Sequence, residues 1–144
     1  MTLRLLAAIA MIASCSSAAW SDEDKKDTLE GTWLASKAEL GGTALPEEFL
    51  KAIKLDVKGE NYTVTLGPQT DKGTCKLDPA AKPKAVDITG VDGPNKGKTI
   101  LAIYERDGDT LRICYELGAK GRPTEFKTTT GSRLFLAEYQ LQKP

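Results

Sequence analysis

The sequence predicts an all-β fold, because short segments of alternating apolar and polar residues follow one another along nearly the whole chain after residue 27. Eight such segments can be recognised, and turn signals separate them about every 8–12 residues. One further segment has helical rather than strand periodicity. This pattern is typical of a closed antiparallel sheet, and a two-sheet sandwich would produce the same pattern.

The first strand is predicted over 32–39, and the Leu-Gly-Gly sequence at 40–42 ends it. A short helix is predicted over 46–53. Pro46 suits the first helical position, where its missing N–H group is not needed, and the two glutamates after it favour the positive end of the helix dipole. The apolar face of this helix consists of Phe49, Leu50 and Ile53.

A hairpin follows the helix, since Leu55 and Val57 alternate before Gly59 and residues 62–66 alternate after it. Asp107-Gly108 is a strong tight-turn signal between two later strands. The remaining strands are predicted at 73–77, 86–89, 99–106, 110–116 and 133–141. Residues 28–144 therefore form one predicted domain, which is long enough to bury a single core.

The first 19 residues have the pattern of an export signal. Arg4 is the only charged residue before Asp22, and residues 5–13 form an apolar run that is too short to span a bilayer as a stable helix. A positive start followed by such a run is typical of a signal peptide. We therefore expect an exported protein, located in the periplasm or outside the cell.

Two cleavage sites compete at the end of this leader. Cleavage after the small residues 17–19 would leave Trp20 as the N-terminus. Residues 12–15 (Ile-Ala-Ser-Cys) instead resemble a bacterial lipobox, which would leave a lipidated Cys15. Residues 20–27 are polar and charged and are predicted to form a flexible tether. A membrane is an expected partner only through a lipid on Cys15.

The composition argues against several classes of function. Removal of the leader leaves 19 basic and 20 acidic residues without a Lys/Arg stripe, so nucleic acid is not an expected partner. The chain contains no histidine, which removes the commonest general base and the imidazole metal ligands. We expect neither a metal ion nor a cofactor, and an enzymatic role is the least favoured alternative.

The two cysteines of the predicted domain are expected to remain reduced, although exported chains commonly form disulfides. Side chains alternate between the two faces of a strand. Cys75 shares a face with Leu77 and is predicted to point inward. Cys114 lies between the inward-facing Ile113 and Tyr115 and is predicted to point outward. Sulfur atoms on opposite faces of a wall are too far apart to bond, unless a bulge changes the alternation.

Several sequence phrases are unusually specific. They are LEGTW at 29–33, LDPAAKPKAVDI at 77–88, GPNKGKTILAIYE at 93–105, LRICY at 111–115 and GRPTEF at 121–126. In these phrases the chain closely resembles a lipocalin-like domain family of planctomycete bacteria that has no assigned function. The resemblance covers nearly all of the chain after the leader. It implies a small eight-stranded antiparallel barrel rather than a sandwich, and it implies no reaction.

The resemblance also implies a structural role for the start of the first strand. Gly31-Thr32-Trp33 is similar to the Gly-x-Trp start of the first lipocalin strand, where the indole plugs the closed end of the barrel and a basic side chain from the last strand covers it. Arg133 and Lys143 are the candidates for that basic partner. The short helix is expected to cap the same end. Gly31 and Trp33 are therefore assigned to architecture rather than to chemistry.

Polar residues within otherwise apolar phrases are the candidate ligand contacts. Asp87 lies between two apolar residues, and Arg122 ends a glycine-rich loop from which it is expected to reach over the barrel mouth. These two are expected to pair, and a structural ion pair is favoured over a ligand clamp. Tyr104 and Tyr115 combine an apolar ring with a hydroxyl group, so they either line a cavity or complete the core. Glu125 is a further candidate, as a carboxylate that can approach Asp87.

Two functions fit these features. The favoured one is an exported binding protein for a small apolar ligand. The alternative is a structural or protein-interaction module of the cell envelope, whose barrel is filled by its own side chains. An eight-stranded barrel is just wide enough for either. Cavity volume separates them, since an open pocket above about 300 Å³ favours ligand binding.

Replacement of Cys15 tests which cleavage site is used. If Cys15 is lipidated, the attached chains hold the protein on a bilayer, because each buried methylene contributes about 0.8 kcal/mol. Cys15→Ala is then expected to move the protein from the membrane fraction to the soluble fraction with an unchanged denaturation midpoint. A wild-type protein that is already soluble and begins at Trp20 would contradict the lipobox interpretation.

Overall fold

The computed structural model describes residues 28–143, so the predicted leader over 1–19, the lipobox at 12–15 with Cys15 and the tether over 20–27 lie outside the described residues. No helix among residues 28–143 is long and apolar enough to cross a membrane. The elements in chain order are β1 (Gly31–Leu40), β2 (Thr43–Ala44), α1 (Glu47–Lys51), β3 (Ile53–Lys58), β4 (Asn61–Leu66), β5 (Gln69–Asp78), β6 (Ala85–Asp92), β7 (Thr99–Asp107), β8 (Thr110–Glu116) and β9 (Leu134–Leu141).

Eight of these strands form a closed antiparallel barrel. Successive strands pair with each other from β3 to β9, and β1 pairs with β3 on one side and with β9 on the other. The β1–β9 pairing joins the two edges of the sheet, so the barrel has no free edge. The two-residue β2 pairs with the end of β1. Closure confirms the predicted eight-stranded barrel with one short helix and excludes the sandwich.

The predicted strands are present, with changed bounds. β5 begins at Gln69 rather than at 73, because a tight turn after β4 leads straight into pairing with that strand. The helix ends at Lys51 rather than at 53, since Ile53 already pairs with Leu66 in the sheet. β2 was not predicted, and a strand of two residues is too short to show an alternation.

Trp33 fills one end of the barrel, which we call the base. Its side chain is 0 % exposed, and its indole N–H donates a hydrogen bond of 2.9 Å to the carbonyl oxygen of Leu29. The guanidinium of Arg106 lies 5.0 Å from the indole ring centroid and donates a hydrogen bond of 2.8 Å to the carbonyl oxygen of Thr28. A cation over an indole face is attracted by the ring quadrupole. The base is therefore closed by an aromatic plug and a cation that covers it.

The basic partner of Trp33 is Arg106, so the prediction of Arg133 or Lys143 is wrong. β7 runs toward the base and carries Arg106 near its end, so its side chain reaches the indole from inside the barrel. Arg133 precedes β9 at the opposite end of the barrel. Lys143 follows β9 at the base, but its ammonium pairs with Asp109 at 2.8 Å instead.

Gly31 is required two residues before Trp33. Its φ of 135° lies in the region that favours glycine. A Cβ at this position would also lie 2.7 Å from the Cδ1 atom of Leu141. Backbone conformation and space therefore both account for the Gly-x-Trp sequence.

The opposite end of the barrel is the mouth, and α1 lies there. α1 connects β1 to β3 at the end of β1 that is remote from Trp33. Leu40 at that end of β1 pairs with Phe135 at the start of β9. The expectation that the helix caps the base is wrong, because the connection between two antiparallel neighbours must begin where the first strand ends.

A long connection over residues 117–133, which we call the outer loop, covers part of the outer face of the barrel. Beneath it lie three outward-facing residues of β6, β7 and β8 that are at most 4 % exposed, namely Ala85, Ile103 and Cys114. The guanidinium of Arg112 stands 4.8 Å from the ring centroid of Phe126 in the loop. The hydroxyl of Thr128 bonds to Glu39 on β1. The barrel wall is therefore buried on both faces in this region.

Truncation of Trp33 tests its role at the base. Trp33→Ala is expected to lower the free energy of unfolding by about 3–5 kcal/mol, because it removes a large buried aromatic ring and leaves Arg106 without its aromatic partner. Leu34→Ala, one residue away and 42 % exposed, is the control and is expected to change the free energy by less than about 0.5 kcal/mol. Chemical denaturation measures both. A loss below about 1 kcal/mol for Trp33→Ala would contradict the plug assignment.

Candidate functional site

The barrel encloses a cavity of about 360 Å³ between the base and the mouth. All eight barrel strands and α1 contribute to its wall. Most of the wall is aliphatic, with Leu55, Ile88 and Ile113 among the buried residues.

Four apolar side chains at the mouth both line the cavity and face solvent. They are Leu40, Phe49, Leu66 and Leu117. Each is 42–61 % exposed, and together they make up four of the six large apolar residues that are strongly exposed among residues 28–143. Clustered exposed apolar groups mark binding sites more often than scattered ones do. The cavity therefore opens through an apolar entrance.

One carboxylate lies in the cavity wall close to the mouth. Asp71 on β5 is 7 % exposed and accepts a hydrogen bond of 3.2 Å from the hydroxyl of Tyr62. The side-chain amide and the backbone N–H of Asn95 donate two more, at 3.0 and 3.4 Å. Burial raises the pKa of Tyr62, and the neighbouring carboxylate raises it further, so the phenol keeps its proton. These bonds compensate the buried charge and tie the β6–β7 turn to β5.

Two glycines leave the room that this arrangement needs. A Cβ at Gly73 would lie 2.7 Å from the ring of Tyr62 and 2.0 Å from the carbonyl oxygen of Thr89. A Cβ at Gly90 would lie 2.0 Å from the carbonyl oxygen of Asn95. Any side chain at either position would displace a hydrogen-bond donor of Asp71 or the strand beside it.

A pair of tyrosine hydroxyls forms the second polar group of the cavity. Tyr115 on β8 and Tyr139 on β9 both line it, and their hydroxyl oxygens are 2.9 Å apart. Burial raises the pKa of Tyr139 to about 12 and that of Tyr115 well above its ordinary value. Both phenols are therefore protonated at neutral pH, and the pair is an uncharged hydrogen-bonding group in an apolar wall.

The two cysteines lie on opposite faces of the wall. Cys75 lines the cavity, and burial raises its pKa to about 12. Cys114 lies under the outer loop, where its thiol is 3.8 Å from the carbonyl oxygen of Lys127 and burial raises its pKa as well. Both thiols are free, which confirms the prediction from strand alternation. Because the thiolate is the reactive form, neither side chain is an activated nucleophile.

Of the residues predicted to contact a ligand, Tyr115 lines the cavity. Tyr104 faces inward but is 1 % exposed and packed in the core, and it does not line the cavity. The sequence left both placements open for each tyrosine. Tyr104 lies closer to the base, where the core is filled, and Tyr115 lies level with Phe135 near the mouth.

Asp87, Arg122 and Glu125 lie outside the cavity. Arg122 forms an ion pair with Asp87 and donates hydrogen bonds of 3.1 and 2.8 Å to the carbonyl oxygens of Val86 and Ala102. The predicted structural ion pair is confirmed. The prediction that Arg122 reaches over the mouth is wrong, because the outer loop places it against β6 and β7. Glu125 is exposed in the same loop, and the carboxylate of Asp87 is engaged by Arg122.

The polar residues of the cavity that sequence reasoning missed are Tyr62, Gln69, Asp71, Asn95 and Tyr139. Asp71 was missed because the strand that became β5 was predicted to begin at residue 73. Counting back by twos from Cys75 along a longer strand places Asp71 on the inner face, and a carboxylate at an inward position is the signal that was available. The position of Asn95 depends on how the β6–β7 turn folds over the wall, which strand alternation does not encode.

Comparison of the chain with protein-family models, curated proteins and solved structures found no match. The cavity, its entrance and the polar groups in its wall are therefore the features from which a function can be inferred. Among residues 28–143, no group of three or more acidic or cysteine side chains is arranged to hold a metal ion.

Thiol labelling tests the placement of the two cysteines. In a Cys15→Ala background, Cys75 and Cys114 are expected to label slowly in the native protein at about pH 8, because burial raises both pKa values and blocks access. Denaturation without a reductant is expected to give two labels per chain, counted by mass spectrometry. Fewer than two labels would show a disulfide, which would contradict the opposite-face geometry.

Proposed function

We propose that this protein binds a small, predominantly apolar molecule inside its barrel. The cavity of about 360 Å³, with its apolar entrance, is the observation that carries the proposal. Small-molecule sites have volumes of about 300–1,000 Å³ and mostly apolar walls with a few polar groups. Transfer of an apolar ligand from water into such a cavity is favourable by about 25 cal/mol for each Å² of apolar surface removed from water.

The cavity supports ligand binding over the alternative of an envelope module with a filled barrel, because a filled barrel has no room for a ligand. The exposed apolar residues at the mouth would suit an interaction module. However, the same four side chains, Leu40, Phe49, Leu66 and Leu117, line the cavity. An entrance for an apolar ligand accounts for both their exposure and their position.

The state of the polar groups favours binding over catalysis. The Cys75 thiol and the Tyr115 and Tyr139 phenols hold their protons, because burial raises their pKa values. The carboxylate oxygens of Asp71 accept hydrogen bonds from Tyr62 and Asn95. A general base must take a proton from the substrate, and in this cavity the thiol and the phenols are already protonated while the carboxylate of Asp71 is held by its donors.

We also propose that the protein belongs to the lipocalin-like family that its phrases resemble and that it acts outside the cytoplasm. The closed eight-stranded barrel with Gly31 and Trp33 at its base supports the first part. The apolar run at 5–13 with small residues after it supports the second.

Binding of a neutral, environment-sensitive dye such as N-phenyl-1-naphthylamine tests the ligand-binding proposal. The wild-type domain is expected to increase the fluorescence of the dye in a saturable way. Val64 lines the cavity, so Val64→Trp is expected to narrow it and to weaken dye binding by about tenfold or more.

The matched control is Val91→Trp. Val91 is 58 % exposed and does not line the cavity, so the same substitution there is expected to leave dye binding unchanged. Circular dichroism and the denaturation midpoint verify that both variants are folded. A wild-type domain that does not bind the dye, or a Val64→Trp variant that binds as well as wild type, would overturn the proposal.

A further inference from the structure

We infer that the cavity selects an uncharged lipophile with one hydroxyl or carbonyl group, which bonds to the Tyr115–Tyr139 hydroxyl pair, and that it rejects lipophiles with a carboxylate. This inference rests on the proposed function and names the chemical class of the ligand. Three observations support it: the charge of the cavity wall, the hydrogen-bonding capacity of the tyrosine pair, and the position of that pair.

The cavity wall has no cationic side chain among residues 28–143. None of the described residues that line it is lysine or arginine, and Asp71 is the only carboxylate among them. A ligand carboxylate inside this cavity would be buried without a positive partner, which is costly. It would also lie in the same low-dielectric space as the carboxylate of Asp71, and two like charges in one site oppose each other's ionisation. The wall therefore disfavours an anionic ligand group for two reasons, the missing positive partner and the like charge of Asp71.

The carboxylate of Asp71 is already hydrogen-bonded, which weakens its attraction for a ligand cation. Its two oxygens accept hydrogen bonds from the Tyr62 hydroxyl and from both N–H groups of Asn95. An ammonium group would compete with these donors, and displacing Asn95 would require the β6–β7 turn to move. Neutral ligands require no such rearrangement.

The tyrosine pair has one hydroxyl proton to spare. The hydroxyls of Tyr115 and Tyr139 bring two protons, and only one of them can lie between the two oxygens at 2.9 Å. The other proton is free to form a second hydrogen bond inside the cavity. The remaining proton and the oxygen lone pairs suit a ligand hydroxyl, ketone or ester oxygen.

The tyrosine pair lies inside the cavity rather than at its entrance. The ligand group that bonds to it would therefore be buried in the barrel. Tyr115 pairs with Phe135 near the mouth, whereas Tyr139 pairs with Leu111, four residues further along β9 toward the base. The two rings therefore come from different levels of the barrel, and their hydroxyls meet inside it. The apolar rim at the mouth is left to contact the rest of the ligand.

Competition against the neutral dye tests this selectivity with ligands that share one chain length. 1-Decanol, methyl decanoate, decanoate and decylamine are compared at about pH 8, where the carboxylate is ionised and the amine is protonated. 1-Decanol and methyl decanoate are expected to displace the dye at concentrations about tenfold or more below those of the two charged ligands. Asp71→Asn is expected to reduce the discrimination against decanoate, because it removes the like charge.

The role of the hydroxyl pair is tested by comparing 1-decanol with decane, which lacks the hydroxyl group. The measured quantity is the ratio of the two affinities for the same variant. This ratio does not depend on the folded fraction of the variant. Tyr139→Phe and Tyr115→Phe are each expected to lower it by about two- to tenfold, the value of one net hydrogen bond. Tyr104→Phe removes a buried tyrosine hydroxyl that does not line the cavity, and it is expected to leave the ratio unchanged.

The outcomes separate this inference from the proposed function. If the dye binds but decanoate competes as well as 1-decanol, the carboxylate lies outside at the mouth and the inference fails alone. If decylamine binds most tightly of the four ligands, Asp71 recognises the ammonium group, and the inference is overturned in that case as well. An unchanged ratio in Tyr139→Phe and Tyr115→Phe would overturn the role of the pair. If neither the dye nor any of these ligands binds, the proposed function itself fails.

Discussion

The pairing of β1 with β9 is the constraint on which the rest of the structure depends. It removes both edges of the sheet and fixes every residue of eight strands as either inside or outside. The inner volume is then set by side chains at inward positions, with Trp33 and Tyr104 filling the lower part. The cavity is thus a property of closure and of side-chain size together. Its polar groups follow from the same alternation, since each is an inward residue of a strand or of the turn that folds over it.

The strands were predictable because alternation is a local property of the sequence. Inward and outward positions follow from it, which is why Cys75 and Cys114 were correctly placed on opposite faces. The partner of Trp33 was not predictable in this way. Arg106 and the indole are joined through the interior of the barrel, between strands that are not neighbours in the sheet, and the analogy with a last-strand cation led to Arg133 and Lys143. The position of the helix at the mouth could have been predicted from the order of the elements alone. β1 leads away from Trp33, and the helix follows β1.

The candidate site was less predictable than the fold. Tyr115 was predicted correctly because the alternation of β8 is regular and places this residue on the inner face. Asp71 was missed because one strand was predicted too short, and Asn95 because its contact depends on a turn that bends over the wall where Gly90 leaves room. Asp87 and Arg122 drew attention as charges within apolar phrases. Their ion pair instead holds the outer loop against the barrel wall. The alternation of residues along a strand does not predict that a loop covers its outer face.

Both ends of the described chain leave the barrel at its base. The carbonyl oxygen of Thr28 accepts a hydrogen bond from Arg106, and the backbone N–H of Gln142 donates one of 2.8 Å to Thr32 on the first strand. A surface, a lipid or a fused domain attached at either end would therefore hold the barrel by its closed side and leave the mouth facing away. Neighbouring ends are also the geometry that tolerates circular permutation. A short linker between them would complete a continuous ring of strands, which could be reopened at an exposed turn such as the one at Gly108 without changing which strands are neighbours.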